Sequence, residues 1–151
     1  FKSSSVVIAN NDIIFSAGTS IFSYKLNNGY LNWENEVNII GTPIISGKYI
    51  FSFSDNGYFI IINKDTGEIV SSKNVLKILK KKKRETKISG YILGSGKVYS
   101  VTENGYLIVS SALSGKAEYF KKIGDPINST PIINNGKLYI LTANSKIIGL
   151  N

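Results

Sequence analysis

The side chains that could support acid–base or metal chemistry are few and scattered in this sequence. It contains no histidine and no cysteine, which excludes serine triads with a histidine base, imidazole metal sites and cysteine nucleophiles. The acidic residues Asp12, Asp55, Asp65 and Glu103 occur singly at turn positions, where such residues most often order the local backbone. Conventional acid–base enzymology is therefore not expected.

Two further patterns suggest reactive sites but have simpler explanations. Glu34 and Glu36 are two residues apart, which places them on one face of a strand whose polar sequence predicts a solvated edge. The sequence GSGK at 94–97 lacks the first glycine of a phosphate-binding loop, because Tyr91 occupies that place, and Val98 follows where Ser or Thr is required. We interpret GSGK as a turn.

Positive charge is concentrated in one short stretch. Between Lys73 and Lys87 the sequence has seven lysines and one arginine against Glu85 alone, which accounts for +7 of the net charge of +8. Such a run predicts either a solvated loop or a contact with an acidic protein surface or anionic lipid headgroups. Aromatic residues do not interleave with it, so no specific nucleic-acid partner is expected.

The elements that would position these residues repeat along the chain. Segments beginning at Ser5, Thr42, Gly90 and Thr130 align with one another. Each predicts three strands separated by turns, and in the first three segments a glycine turn and a more polar fourth strand follow. The Asn-Gly pairs at 56–57 and 104–105 predict tight hairpin turns with positive φ at both central residues.

This period predicts an all-β fold, a β-propeller of four-stranded antiparallel blades with about four blades present as a partial ring. We expect a single partial propeller domain over residues 1–151, with blades at 5–37, 42–76, 88–123 and 128–151. A basic inserted loop at 77–87 separates the second and third blades. The insertion follows from spacing, since Lys48 and Lys97 are 49 residues apart whereas Lys97 and Lys137 are 40 apart.

The end of each repeat resembles the blade motif of the quinoprotein-like, or PQQ-like repeat, β-propellers, which runs Ala-x-Asp-x-x-Thr-Gly-x-x-x-Trp. The matching positions are Gly29 and Trp33 in the first repeat, Asn63, Asp65, Thr66 and Gly67 in the second, and Gly115 and Tyr119 in the third. The second repeat departs from the motif at Ser71. The resemblance implies that the aromatic residue packs against the neighbouring blade, which is a structural role.

The family includes quinone-dependent dehydrogenases and a noncatalytic lipoprotein scaffold of outer-membrane protein assembly. The resemblance to the scaffold implies a nonenzymatic protein without a cofactor that binds protein partners, with the barrel-insertion machinery as a candidate partner. It also implies a periplasmic, outer-membrane-associated location. A fragment of a PQQ-dependent dehydrogenase is the enzymatic alternative, although the adjacent cysteines of many such enzymes are absent. A propeller that binds polyanions is the third possibility.

The predicted partner contacts are the consecutive cations of the basic loop, and this prediction rests on charge and loop position. They are Lys80, Lys81, Lys82, Lys83 and Arg84. The stretch VLKILKKKKR also has the spacing of a short helix, with Val75, Ile78 and Leu79 on one side. Because the fourth repeat reaches only a third strand, we expect about half of an eight-bladed ring, cut from a longer protein or closed by two copies as a homodimer.

Overall fold

The structure is a computed structural model that describes residues 3–83 and 85–151, with only the backbone of Lys82. The structure is built from antiparallel sheets whose strands follow one another in chain order. The first sheet contains β1 (Val7–Ala9), β2 (Asp12–Ala17), β3 (Ser20–Lys25) and β4 (Leu31–Asn35). The second contains β5 (Ile40–Ser46), β6 (Tyr49–Phe53), β7 (Tyr58–Asn63) and β8 (Ile69–Asn74).

The C-terminal part of the chain repeats this arrangement. The third sheet contains β9 (Ile88–Gly94), β10 (Lys97–Thr102), β11 (Tyr106–Ser111) and β12 (Ala117–Lys122). The fourth contains β13 (Ile132–Asn134), β14 (Lys137–Leu141) and β15 (Ile147–Leu150). The prediction of an all-β fold built from four-stranded antiparallel sheets is confirmed, with three strands described in the last sheet.

The sheets belong to two compact units. The described part of Phe1–Ser54, together with Phe59–Ser72, forms the first unit, and Asp55–Tyr58 with Lys73–Asn151 forms the second. In the first unit the core includes Ile14, Ile21, Trp33, Ile50 and Ile62. In the second unit Val101, Leu107, Ile127, Leu138 and Ile140 form the core between the third and fourth sheets. Burial of these apolar side chains supplies the main driving force for the folding of each unit.

The hairpin turns differ from the prediction in one respect. Of the Asn-Gly pairs, only Gly57 and Gly105 have positive φ. Gly105 N–H donates to the Thr102 carbonyl at 2.9 Å, so glycine follows a type I turn instead of completing a two-residue primed turn. The primed geometry occurs instead at Ser95-Gly96 and at 135–136, where both residues have positive φ. The prediction of positive φ at both residues of the Asn-Gly pairs was therefore wrong.

The connection between the second and third sheets contains two single turns of 3-10 helix, Val75–Ile78 and Lys81–Lys83. The predicted short helix therefore exists only as these two turns. Val75, Leu76 and Leu79 are buried, and Ile78 is half-buried. Among residues 3–83 and 85–151 we find no helix with the length and apolar character needed to cross a membrane.

Candidate functional site

The basic loop is fixed at its start by hydrogen bonds and apolar packing. The Asn74 side chain accepts a hydrogen bond from Leu76 N–H at 3.0 Å, which caps the first 3-10 turn. Val75 N–H donates to the Gly57 carbonyl at 2.9 Å, and Leu76 packs so tightly on Gly57 that a Cβ there would overlap its side chain. The segment that leads into the loop is therefore part of the core of the second unit.

The cations that follow this anchor have different surroundings. Lys80 and Lys81 are exposed, and no ion pair to either is found among the described residues. Lys83 is half-buried, with its Nζ 5.3 Å from the centroid of the Tyr106 ring. Of the other two predicted contacts, the Lys82 side chain and all of Arg84 lie outside the described residues. The structure thus places Lys80 and Lys81 on the surface and Lys83 against an aromatic ring.

Tyr106 is a residue of this region that the sequence did not single out. Its side chain is buried, and its ring lies close to two ammonium groups. Besides Lys83 Nζ, Lys122 Nζ approaches the ring, at 4.4 Å from the centroid. Lys122 Nζ also donates to the Asn104 carbonyl at 2.6 Å. Cation–π contacts of this kind hold lysines near a surface without neutralising their charge. Tyr106 therefore brings Lys122 close to Lys83 of the basic loop.

A second cluster of charges lies in the first unit and was also not predicted. Asp12, at the start of β2, accepts hydrogen bonds from Lys25 Nζ at 2.8 Å and from Lys64 Nζ at 3.3 Å. Lys64 Nζ also donates to Asp65 at 2.7 Å, and Asn32 donates to Asp12 at 3.1 Å. Asp12 and Lys64 are both buried. Buried charges require such partners, because desolvation of an unpaired charge is costly.

Each buried member of this cluster has a shifted pKa. The hydrogen bond from Lys25 is the main cause of a lowered pKa for Asp12, with Lys64 adding to it against the effect of burial. The hydrogen bond to Asp65 is the main cause of a raised pKa for Lys64, with Asp12 contributing in the same direction against burial. Both groups therefore remain charged over a wider pH range than usual.

These shifts predict a pH dependence of stability for the first unit. Since the pKa of Asp12 is lower than its ordinary 3.8, its contribution is present above that pH and is lost as pH falls through the lower folded value. The pKa of Lys64 is raised above its ordinary 10.5, so its contribution to stability is present below that pH. It is lost as pH rises through the higher folded value. In the parent chain the midpoint urea concentration of unfolding should fall as the solution is made acidic. We expect this fall to be smaller in Asp12→Asn.

The control for that measurement is Asp55→Asn. Asp55 and Lys87 form an exposed pair 3.9 Å apart, and such pairs contribute little to stability. The acid dependence of this variant should match that of the parent chain. An unchanged acid dependence in Asp12→Asn as well would contradict the assignment.

The predicted blade motif joins the first two sheets. Trp33 Nε1 donates to the Lys64 carbonyl at 2.8 Å, and Asn35 Nδ2 donates to the Gly67 carbonyl at 2.8 Å. The indole lies directly on Gly67, where an added Cβ would come within 2.5 Å of Trp33 Cδ2. Gly67 also has φ of +75°, so glycine is required for both space and backbone conformation.

The turn that receives the tryptophan is ordered by its own side chains. Asn63 Oδ1 accepts hydrogen bonds from Asp65 N–H at 2.9 Å and from Thr66 N–H at 3.2 Å. The Thr66 hydroxyl accepts from Glu68 N–H at 3.3 Å. This is the Asx and Ser/Thr turn chemistry that these residue types favour. In the described structure the motif residues Asn63, Asp65, Thr66 and Gly67 hold a turn in place.

The third sheet carries the same motif, and its aromatic residue is more exposed. Gly29 and Gly115 both have positive φ, 70° and 72°, and Trp33 and Tyr119 each follow the glycine by four residues. Both aromatics also directly follow a register shift between their strand and its neighbour. Trp33 is 8% exposed, whereas Tyr119 is 54% exposed. The two aromatic positions are therefore structurally equivalent but packed differently.

The carboxylates do not form the ligand set of a quinone and calcium site. In the described ranges no group of three or more acidic, histidine or cysteine side chains is arranged to hold a metal ion. Asp12, Asp65 and Asp125 each accept from a lysine within 3.1 Å, so their oxygens already have cationic partners. The described carboxylates therefore do not supply a cluster of charged oxygen ligands for the calcium of a PQQ site.

Comparisons with known proteins give one family match and several structural matches. Residues 2–73 match the model of the family described as outer membrane protein assembly factor BamB. The BamB structure from Moraxella catarrhalis superposes with a TM-score of 0.75 at 14% identity, covering 97% of this chain and 45% of that chain. The computationally designed Ika4 protein gives 0.72 at 12% identity, covering 96% of this chain and 88% of that one.

An enzyme also shares the fold. The quinohemoprotein alcohol dehydrogenase ADHIIG from Pseudomonas putida HK5 superposes with a TM-score of 0.65 at 14% identity, covering 79% of this chain and 20% of that chain. No curated protein sequence matches the chain. The chain thus spans less than half of the length of the BamB and dehydrogenase structures. Together with the repeats and their antiparallel sheets, the structural matches identify the fold as a β-propeller, and residues 2–73 are similar to the family of the matching model.

Proposed function

We propose that this propeller is a noncatalytic scaffold that binds protein partners in outer-membrane protein assembly, as the name of the matching family suggests. The observation that carries the proposal is the anchored basic loop. Val75, Leu76 and Leu79 are buried, so Lys80 and Lys81 are presented from a fixed base. The location that goes with this function is the periplasm, in association with the outer membrane.

The chemistry of the loop favours an acidic protein surface as its partner. Lys80 and Lys81 are exposed, and Lys83 and Lys122 lie against the Tyr106 ring nearby. A cluster of like charges on an ordered base loses little conformational entropy on binding, because its backbone is already fixed. Each basic residue near an anionic surface contributes about 1 kcal/mol. The candidate partner is the barrel-insertion machinery, through one of its periplasmic domains.

The proposal predicts a loss of binding when the exposed lysines are reversed in charge. Calorimetric titration with the periplasmic domains of the barrel-insertion subunit should give saturable binding at low salt. We expect K80E/K81E to weaken this binding at least tenfold, since two contributions of about 1 kcal/mol are removed and repulsion is added. The matched control is K48E/K116E, which changes the net charge equally at exposed lysines elsewhere and should bind as the parent does.

Two results would count against the proposal. Equal weakening by both double variants would mean that net charge alone drives association, which is the behaviour of a polyanion-binding propeller. In that case heparin should bind as well as the protein domains do, with a steep loss of affinity as salt rises. Absence of binding by the parent chain, shown to be folded by circular dichroism, would remove the basic loop as the contact.

The enzymatic alternative is a fragment of a quinoprotein dehydrogenase. It is supported by the fold shared with the Pseudomonas putida enzyme, and fold alone does not carry an activity. The acidic side chains of the described ranges are dispersed or paired with lysines. The scaffold is therefore the function that these residues favour.

A further inference from the structure

The turn between β11 and β12 carries an apolar side chain that is almost entirely exposed. Leu113, at its tip, is 93% exposed. The same turn geometry recurs in three places, where a glycine N–H donates to the carbonyl four residues earlier at 2.9 Å, at Gly29, Gly67 and Gly115. Two residues before the glycine, the first two turns have the polar Asn27 and Asp65. The geometry of the turn therefore does not require Leu113, and its apolar side chain is available for a contact.

The turn that presents Leu113 is held by hydrogen bonds. Ser114 N–H donates to Ser111 Oγ at 3.2 Å, and Lys116 N–H donates to Ser114 Oγ at 3.3 Å. The Lys73 ammonium, from the end of β8, donates to the Ser114 carbonyl at 2.6 Å. Because these contacts fix the backbone before any binding, docking of Leu113 costs little conformational entropy.

Exposed lysines lie around this turn. Ala112 N–H donates to the Gly96 carbonyl at 3.0 Å, which places the turn beside the one that leads into Lys97. Lys97 lines a cavity together with Lys137, so the start of β14 lies at the same end of the sheets. We use the name turn surface for four exposed residues at this end, Lys73, Leu113, Lys116 and Lys137. Its three cations make no ion pair within the described ranges.

Most acidic residues of the second unit lie at the opposite end of its strands. The unit contains fourteen basic and five acidic residues, whereas the first unit contains four and five. Four of the five lie around the basic loop or the β10–β11 turn: Asp55, Glu85, Glu103 and Asp125. The fifth, Glu118, is paired with Lys97. The turn surface is therefore cationic, with little opposing charge.

We propose that the turn surface docks on an anionic phospholipid membrane, with Leu113 entering the interface between headgroups and acyl chains. Its three lysines then lie at the level of the headgroup phosphates. Lysines near such a surface are attracted to anionic lipids, and an aliphatic side chain gains from leaving water. A single apolar side chain on a protruding turn enters a fluid interface without the matching pocket that a folded protein surface would have to provide. The inference goes beyond the proposed protein contact, because its partner is a lipid and its residues do not include Lys80 or Lys81.

The turn surface and the basic loop lie at opposite ends of the third sheet. β10 runs from one end to the other, and directly after it Glu103 N–H donates to the Lys87 carbonyl at the end of the loop. The six residues of β10 span about 17 Å, whereas the screening length at about 0.15 M salt is about 8 Å. Charge changes at one end should therefore have little effect on a contact made at the other.

The first test is co-sedimentation with lipid vesicles at about 0.15 M salt. The chain should bind saturably to vesicles of phosphatidylethanolamine and phosphatidylglycerol, and not to vesicles of phosphatidylcholine. We expect L113N and K116E/K137E each to weaken this binding at least tenfold. The matched control is K80E/K81E, which changes the net charge equally at the other end of the sheet and should bind as the parent does. All of these side chains are exposed, so circular dichroism should show folded variants.

A fluorescent label reports which end enters the lipid. The chain contains no cysteine, so a single introduced cysteine can be labelled with a dye whose emission rises in apolar surroundings. The dye on L113C should brighten and shift to the blue when phosphatidylglycerol vesicles are added. The dye on N144C, in the exposed turn between β14 and β15 at the opposite end, should not change.

Four outcomes would overturn the inference. One is the absence of vesicle binding by the folded parent chain, and another is binding that L113N and K116E/K137E leave intact. The third is an equal loss in K80E/K81E and K116E/K137E, which would mean that net charge alone holds the chain on lipid. The fourth is an equal response of the dye at positions 113 and 144. Failure of the scaffold proposal is distinguishable, because it appears in the titration with the barrel-insertion domains, which contains no lipid.

Discussion

Replacement of Trp33 by alanine is expected to lower the free energy of unfolding of the first compact unit by about 3–5 kcal/mol, as for other buried aromatic residues. The indole is 8% exposed and packs in the cluster that contains Ile14, Ile21 and Ile50. The variant loses this packing and leaves the Lys64 carbonyl without the 2.8 Å hydrogen bond from Nε1. Urea unfolding measures the loss. It is followed by circular dichroism, because Trp33 is the only tryptophan and the variant has no tryptophan fluorescence.

The matched control is Tyr119→Ala, at the equivalent position of the third sheet. Because Tyr119 is 54% exposed, its removal should change the free energy of unfolding by less than about 0.5 kcal/mol. Similar losses for the two variants would show that the aromatic stabilises its own strand and not the neighbouring sheet. The packing of Trp33 on Gly67 would then be incidental.

Much of the fold was predictable because the relevant signals are local and repeat. Alternating apolar residues, the turn glycines and the spacing from Gly29 to Trp33 occur within one repeat, so copies reinforce one another. The all-β fold and the blade motif could therefore be derived from the sequence with its family resemblance. The turn at Asn104-Gly105 was mispredicted because five residues separate the paired Val101 and Leu107, and a longer loop selects a different turn.

The charged clusters could not be predicted, because their contacts join residues that are far apart in sequence and do not repeat. Asp12 and Lys64 are 52 residues apart in sequence, and their contact depends on how the second sheet packs on the first. Tyr106 faces Lys122 across the β11–β12 pair, whereas its contact with Lys83 depends on the path of the basic loop. Charge alone indicated Lys80 and Lys81, but the burial of Leu76 and Leu79, which fixes that loop, required tertiary structure.

Gly105 occupies a closely packed turn of the second unit. Its carbonyl accepts hydrogen bonds from Ile123 N–H at 2.8 Å and from Gly124 N–H at 3.4 Å, which tie the β10–β11 turn to the segment after β12. A Cβ at this position would come within 3.0 Å of the backbone at Gly124 and Asp125. The residue also has φ of +81°, a backbone conformation that residues other than glycine rarely adopt.

Gly105→Ala should therefore lower the free energy of unfolding of the second unit by about 3 kcal/mol, from left-handed backbone strain together with overpacking against a backbone that cannot rotate away. Gly96→Ala is the matched control in the same sheet. Gly96 has φ of +71° but nothing within 4 Å of an added Cβ, so the strain alone should cost about 1 kcal/mol. Urea unfolding of both variants separates the two causes. Equal losses would mean that the segment after β12 moves aside, and that its hydrogen bonds to Gly105 contribute little to the second unit.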